Sequence, residues 1–239
     1  MQISTQSTLG NIVKQYHATA LIFEKYNLDY CCNGKRSLEE ACKEKNLPLD
    51  TLVYELAKAI GDPTENDQDF DSYDPEQLIS HIILKHHSFV KKTIQPIEEH
   101  LLRVASKHGD RYPEMKKVYT TFLEVADELQ SHMQKEEMIL FPRIREVYYA
   151  GKKIEHTEFS SNFISGPVSV MEAEHTHAGN GLDEIRQLTN NYTAPVGACN
   201  TFALVINELK AFEEDLHQHV HLENNILFPK AEELLLAAL

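Results

Sequence analysis

The chain of 239 residues has no tryptophan, only nine glycines and nine prolines, and just four cysteines. Glycine and proline at about 4% each fall below the roughly 7% and 5% of average chains, which speaks against a turn-rich β sandwich. Four cysteines, Cys31, Cys32, Cys42 and Cys199, do not make a disulfide scaffold and read as thiol or metal chemistry. No stretch approaches the ~20 apolar residues of a membrane span. Residues 1–25 lack the basic start, apolar run and small-residue cleavage site of a secretory signal. Positive charge is scarce as well, with 23 Lys and Arg against 37 Asp and Glu, a net charge of −14. An acidic surface repels phosphate backbones, so neither nucleic acid nor a membrane is an expected partner, and a cytoplasmic setting is expected.

What is present is a composition for helices. Apolar residues make up 42% and charged residues 25% of the chain, enough for a full core in one or two domains. Residues 61–75 carry six acids and no base, with proline near both ends, and read as a linker. Before it, amphipathic stretches at about 8–26 and 49–60 flank Ser37-Leu38-Glu39-Glu40, whose first and last residues suit a capping box. Residues 1–60 therefore read as a small helical domain. After the linker, helical patterns at about 76–107, 112–148, 167–190 and 195–236 predict an all-α bundle over 76–239.

Thirteen histidines outnumber either glycine or proline, and some recur in register. His132-Met-Gln-Lys-Glu136-Glu-Met-Ile-Leu-Phe141-Pro142 aligns with His219-Val-His-Leu-Glu223-Asn-Asn-Ile-Leu-Phe228-Pro229 at an offset of 87 residues. His87 lies 45 residues before His132, and His175 lies 44 before His219. Two helical hairpins of one plan predict a pseudo-twofold four-helix bundle. All six residues fall on core-facing seams of alternating three- and four-residue spacing. The seams run Ile83, His87, Val90 in the first helix, Leu129, His132, Glu136, Ile139 in the second, Met171, His175, Ala178 in the third and Leu216, His219, Glu223, Ile226 in the fourth.

A carboxylate buried alone costs several kcal/mol or stays protonated. Two of them with four imidazoles at one depth resolve that cost by binding metal. Four nitrogens and two oxygens exceed one tetrahedral zinc site and suit two ions sharing the carboxylates, with iron favoured and manganese or zinc left open. His86, His177 and His221 sit near enough to add a fifth ligand or a supporting hydrogen bond. His217 falls off the seam, as does His221. His17, His100, His108 and His156 read as solvated surface, and Glu128, Glu137 and Glu174 as exposed or lining an access path. Cys42 and Cys199 read as core.

His87, QSHMQKEEMILFP at 130–142, MEAEH ending at His175 and HVHLENNILFP at 219–229 together resemble a hemerythrin-like di-iron bundle. Asp29-Tyr30-Cys31-Cys32-Asn33-Gly34-Lys35 resembles the signature of the short domain of the repair-of-iron-centres proteins. The resemblance implies two non-haem iron ions joined by an oxo or hydroxo bridge. It implies His87, His132, His175 and His219 as terminal ligands, and Glu136 and Glu223 as bridges. Oxygen-carrying hemerythrins use a fifth His, absent from the seam here, which disfavours simple oxygen carriage. Cys31 and Cys32 are the implied catalytic thiols, able to carry electrons, bind nitric oxide or hand on iron. The implied function is repair of iron–sulfur clusters damaged by nitrosative or oxidative stress, with damaged iron–sulfur proteins as clients and iron supplied to them. Reduction of nitric oxide at the metal pair, and oxygen or redox sensing, are the alternatives. Whether the chain is an enzyme stays open, as does its oligomeric state, a homodimer included.

Overall fold

The computed structural model describes residues 3–61, 69–153 and 159–238. Among these the regular structure is helical, with one isolated bridge between Thr8 and Ser37. Helix α1 (Leu9–Gln15) starts where the Thr8 hydroxyl accepts from the Asn11 amide at 3.3 Å. A 3-10 turn at His17–Thr19 leads into α2 (Ala20–Lys25), so the stretch expected as one helix is two. At α3 (Leu38–Glu44) the Ser37 hydroxyl accepts from the Glu40 amide while Glu40 accepts from the Ser37 amide, the capping box expected there. Helix α4 (Leu49–Gly61) comes next. Most of the acidic linker lies outside the described residues, but its end is anchored. Phe70 is buried with its ring against those of His17 and His81.

Each bundle helix except the third is interrupted by a π turn. The first runs through α5 (Pro75–His81), a π turn at Ile82–His87 and α6 (Ser88–His108). The second comprises α7 (Glu114–Lys135), a π turn at Glu136–Leu140 and α8 (Phe141–Lys153). The third is α9 (Ser165–Leu188). The fourth comprises α10 (Asn200–Leu222), a π turn at Glu223–Leu227 and α11 (Phe228–Ala238). The two repeated Phe-Pro pairs explain two of these turns. A proline ring clashes with the carbonyl four residues back, here that of Met138 for Pro142 and of Asn225 for Pro229, and a wider turn relieves the clash. Each π turn adds one residue and so rotates the rest of its helix by about 100°. For that reason Leu140 is buried while Ile139, expected on the seam, is 47% exposed, and Ile82 is buried in place of Ile83.

The N-terminal helices close over the bundle. Leu9, Phe23, Leu38 and Leu56 join one continuous apolar cluster with Val90, Phe122, Leu182 and Phe212. This contact compensates for the little core that about sixty residues can bury alone. It also buries the outer face of α10. His221, off the seam, is buried, and His217 is half-buried with its Nδ1 2.7 Å from Glu24 Oε1 on α2. His17, His100 and His108 are likewise half-buried, not solvated, while His156 lies outside the described residues. Cys42 is buried as expected. Cys199 is not: it sits exposed at the start of α10, its Sγ 3.3 Å from His108 Nε2, because the loop ends one residue before the first buried turn.

Two measurements probe this covering layer. A Cβ on Gly34 would meet the Tyr30 carbonyl oxygen at 2.2 Å and the Gly10 Cα at 3.2 Å, backbone on both sides. Gly34→Ala is expected to lower stability by about 1–3 kcal/mol in thermal unfolding, by overpacking the Cys31–Cys32 turn. For His217, burial opposes the proton but the Glu24 hydrogen bond and charge outweigh it and lift its pKa to about 9. A pKa raised above its unfolded value of 6.5 gives stability that is complete below pH 6.5 and lost as pH rises through about 9. Unfolding free energies measured from pH 6.5 to 9 should therefore fall less in Glu24→Gln than in the parent.

Candidate metal centre

Four imidazoles and two carboxylates converge in the middle of the bundle, each buried. His87 closes the first π turn, Glu136 and Glu223 open the other two, and His132 and His219 stand one turn ahead of their glutamates on regular helix. The donor atoms form two clusters, His87, Glu136, His219, Glu223 and His132, Glu136, His175, Glu223, each with one ligand atom per residue within 4.8 Å of the others. Glu136 lies with Oε2 3.4 Å from His87 Nε2 and Oε1 3.3 Å from His132 Nε2. Glu223 places Oε1 3.1 Å from His219 Nε2 and Oε2 3.1 Å from His175 Nε2. Each carboxylate thus gives one oxygen to each half, the disposition of a bridge between two cations.

The hydrogen-bond chemistry tests whether a cation fits. Nδ1 of His87, His132 and His175 faces an acceptor, Glu137 Oε1 at 2.8 Å, Glu174 Oε2 at 2.9 Å and Asn224 Oδ1 at 2.9 Å. Those bonds put the proton on Nδ1 and leave a lone pair on Nε2 in a neutral ring. The Nε2 atoms then face one another, 3.2 Å apart between His87 and His219 and 3.0 Å between His132 and His175. Both oxygens of Glu136, and Oε2 of Glu223, are buried without a hydrogen-bond partner. Lone pairs and carboxylate oxygens crowded together in a dry core repel unless positive charge lies among them. Protons supply it when no metal does. Burial opposes a charged His132, yet the negative charge of Glu136 3.3 Å away, helped by Glu223 and Glu174, raises its pKa to about 9. Burial likewise opposes the Glu223 anion, but His219 and His175 hold its pKa well below the ordinary value.

Residues that the sequence left at the surface support the ligands. Glu137 bridges His87 and Lys91, whose Nζ donates to the same oxygen at 2.6 Å. Glu174 bridges His132 and Lys135 in the same manner. Glu174, His132 and Lys135 also line a cleft of about 710 Å³ between α7 and α9. Asn224 is the third support, and neither it nor Glu137 stood out by residue type. The signal was positional, since both directly follow a repeated glutamate. Of the proposed fifth ligands, His177 is exposed and pairs with Glu128 at 3.0 Å, and His221 lies outside both clusters, its ring 5.5 Å from that of Tyr30 and its Nδ1 3.2 Å from Asn225 Nδ2. His86 is buried, stacked on His219 at 5.6 Å and bonded to Asp215 Oδ1 at 3.0 Å, outside both clusters.

Cys31 and Cys32 sit in a turn built on Asp29, whose Oδ1 accepts from both cysteine amides at 3.1 and 2.9 Å. The two sulfurs are 3.8 Å apart and are free thiols. Cys31 is buried, and its hydrogen bond to Cys32, with burial and Asp29, pushes its pKa well up. Cys32 is half-buried and lines a groove with Thr176 and Asn224.

A helical bundle presenting His and Glu in this repeat defines the hemerythrin class of cation-binding proteins. Residues 78–231 match the family described as hemerythrin HHE cation binding domain, and residues 5–60 match ScdA_N, described as a domain of unknown function. The chain is 37% identical over 224 residues to the iron-sulfur cluster repair protein YtfE of Escherichia coli O81, covering 93% of this chain and 95% of that one. It is 36% identical over the same coverage to the YtfE protein of Escherichia fergusonii. The chain belongs to this family of two-part proteins with a hemerythrin domain.

A carboxylate behind a ligating histidine fixes its tautomer and raises its basicity. Glu137→Gln should therefore weaken metal binding by about 10–100-fold in a chelator competition, with the helical content unchanged.

Proposed function

We propose that this chain repairs damaged iron–sulfur clusters, as the relatives it matches are named for doing, and that it does so by holding and supplying iron. The observation that carries the reading is the pair of buried carboxylates, each offering one oxygen to each of two histidine pairs. In this reading His87, His132, His175 and His219 would hold two non-haem iron ions as terminal ligands, Glu136 and Glu223 would be shared between them, and an oxo or hydroxo group would join the pair. Residues 1–60 form the thiol-bearing domain and 76–239 the metal-holding bundle. Bound there, iron supplies redox chemistry and is itself the cargo for a client.

The surrounding residues favour supply over permanent sequestration. Glu174 accepts a hydrogen bond from His132 Nδ1 on the cleft side, and Lys135 on its other oxygen keeps that carboxylate an acceptor. This carboxylate is a step between the buried ligands and the open cleft. Nitric oxide and oxygen are the small molecules able to enter by the same cleft. The thiol of Cys32, half-buried beside the groove, is the exchange point toward a client, while Cys31 stays protonated and packed. Reduced thiols of this kind suit a cytoplasmic setting, and among the described residues no helix is long and apolar enough to cross a membrane. No separate observation favours nitric oxide reduction or sensing.

Metal analysis of the purified protein should find about two iron ions per chain, as in other di-iron bundles, and His132→Ala and His219→Ala should each lose them. One tightly held zinc would overturn the reading. Iron-loaded protein mixed with a nitrosylated [4Fe–4S] enzyme should restore that enzyme's activity, and the metal-free protein should not.

A further inference from the structure

The pseudo-twofold symmetry breaks at the residue after each bridging carboxylate. Glu137 and Asn224 occupy equivalent places, 87 residues apart, and each accepts from Nδ1 of the histidine on the first helix of its own hairpin. Glu137 spends its remaining capacity on solvent-facing Lys91. Asn224 keeps an NH2 group, and that group donates to the Cys31 carbonyl oxygen at 3.4 Å. The next residues differ in the same sense. Met138 is exposed, whereas its counterpart Asn225 donates to the carbonyls of Tyr30 and Cys31 at 3.4 and 3.3 Å. Gly10 leaves room for it, since a Cβ there would stand 2.4 Å from Asn225 Oδ1.

One amide satisfies both His175 and Cys31 in a single orientation. Turned over, its NH2 would face the Nδ1–H and its oxygen the carbonyl, so both contacts fail together. We propose that Asn224 is a positioning residue that couples the Cys31–Cys32 turn to the His175 half of the metal centre. Iron held at His175 fixes the ring, the ring fixes the amide, and the amide orders the peptide between the two thiols. Coupling between two sites is reciprocal in binding free energy, so a group held at Cys32 that disorders the turn weakens iron binding at His175. An electrophile reaching Cys32, such as a client disulfide that exchanges with the Cys32 thiol and releases one of its own sulfurs as a thiolate, is then the signal for release. The inference rests on the iron-holding reading above.

The test uses the full chain carrying Cys199→Ala, which removes the exposed thiol. Alkylation of Cys32 by iodoacetamide is followed by peptide mass spectrometry in metal-free and ferrous-loaded protein, with iron stoichiometry measured on the same samples. Loading should slow alkylation by about fivefold or more, the low end of usual coupling factors. Asn224→Asp keeps an acceptor for His175 but has no donor for the Cys31 carbonyl. At iron loading confirmed on the same samples, it should show equal rates in both states, with an unchanged circular dichroism spectrum. Prior alkylation should lower iron affinity about fivefold in an equilibrium chelator competition in the parent and leave Asn224→Asp unchanged. Equal rates in the iron-bearing parent, or a rate difference that survives in Asn224→Asp, would overturn the coupling alone. Failure of the parent to bind iron would overturn the iron-holding reading and the coupling with it.

Discussion

Two carboxylates in the centre of a helical bundle, Glu136 and Glu223, both with no exposure to solvent, set the terms for the rest of this molecule. A bundle core has no water to spread their charge, so positive charge must come to them. Four imidazoles at the same depth can provide it, by their own protons or by holding cations among them. This requirement accounts for a hairpin used twice, since one hairpin brings a single carboxylate and two histidines. The π turns that open at Glu136 and Glu223 return the apolar face of the following helix, by way of Leu140 and Leu227, to a second buried cluster.

Around that centre the two hairpins are alike in plan and unlike in their surroundings. The first hairpin turns its supporting residues outward, where Glu137 meets Lys91 in solvent. The second turns them toward the N-terminal helices, where Asn224 and Asn225 meet backbone carbonyls. A carboxylate against a carbonyl oxygen would repel, so the amide is the side chain that suits a covered site and the acid the one that suits an open site. The N-terminal helices thereby change the chemistry of half the repeat without contributing a donor to either cluster.

Much of the candidate site was legible because helical period and repeat offset are local properties. His132 and Glu136 share a face by being four apart, and their recurrence at His219 and Glu223 separates them from nearby His217 and His221, which fall elsewhere on the helix. The same reasoning failed for Ile139 and Ile83, since a π turn rotates the face and leaves no periodic mark in advance. His86, expected near the seam, does stand against His219, but it lies outside both clusters. Glu137 and Glu174 looked like ordinary surface acids, because their value lies in one hydrogen bond to a ring that comes from another helix. Cys199 was misplaced for a simpler reason, as an apolar residue type beside a helix start is buried only if something covers it.

The amino-acid sequence by itself determined which six side chains face the bundle core, at what depth, and that they come as two copies of one plan. Period and repeat suffice for that. Only the tertiary structure decided how the six are shared out. Each half of the centre takes one histidine from each hairpin, His87 with His219 and His132 with His175, because helices adjacent in space are not always adjacent in the chain. It also decided that the amide of Asn224 stands between a metal-facing ring and the peptide between two thiols. That contact joins residues 193 apart in the chain, and no local pattern reports a hydrogen bond whose partners meet only after the chain has folded.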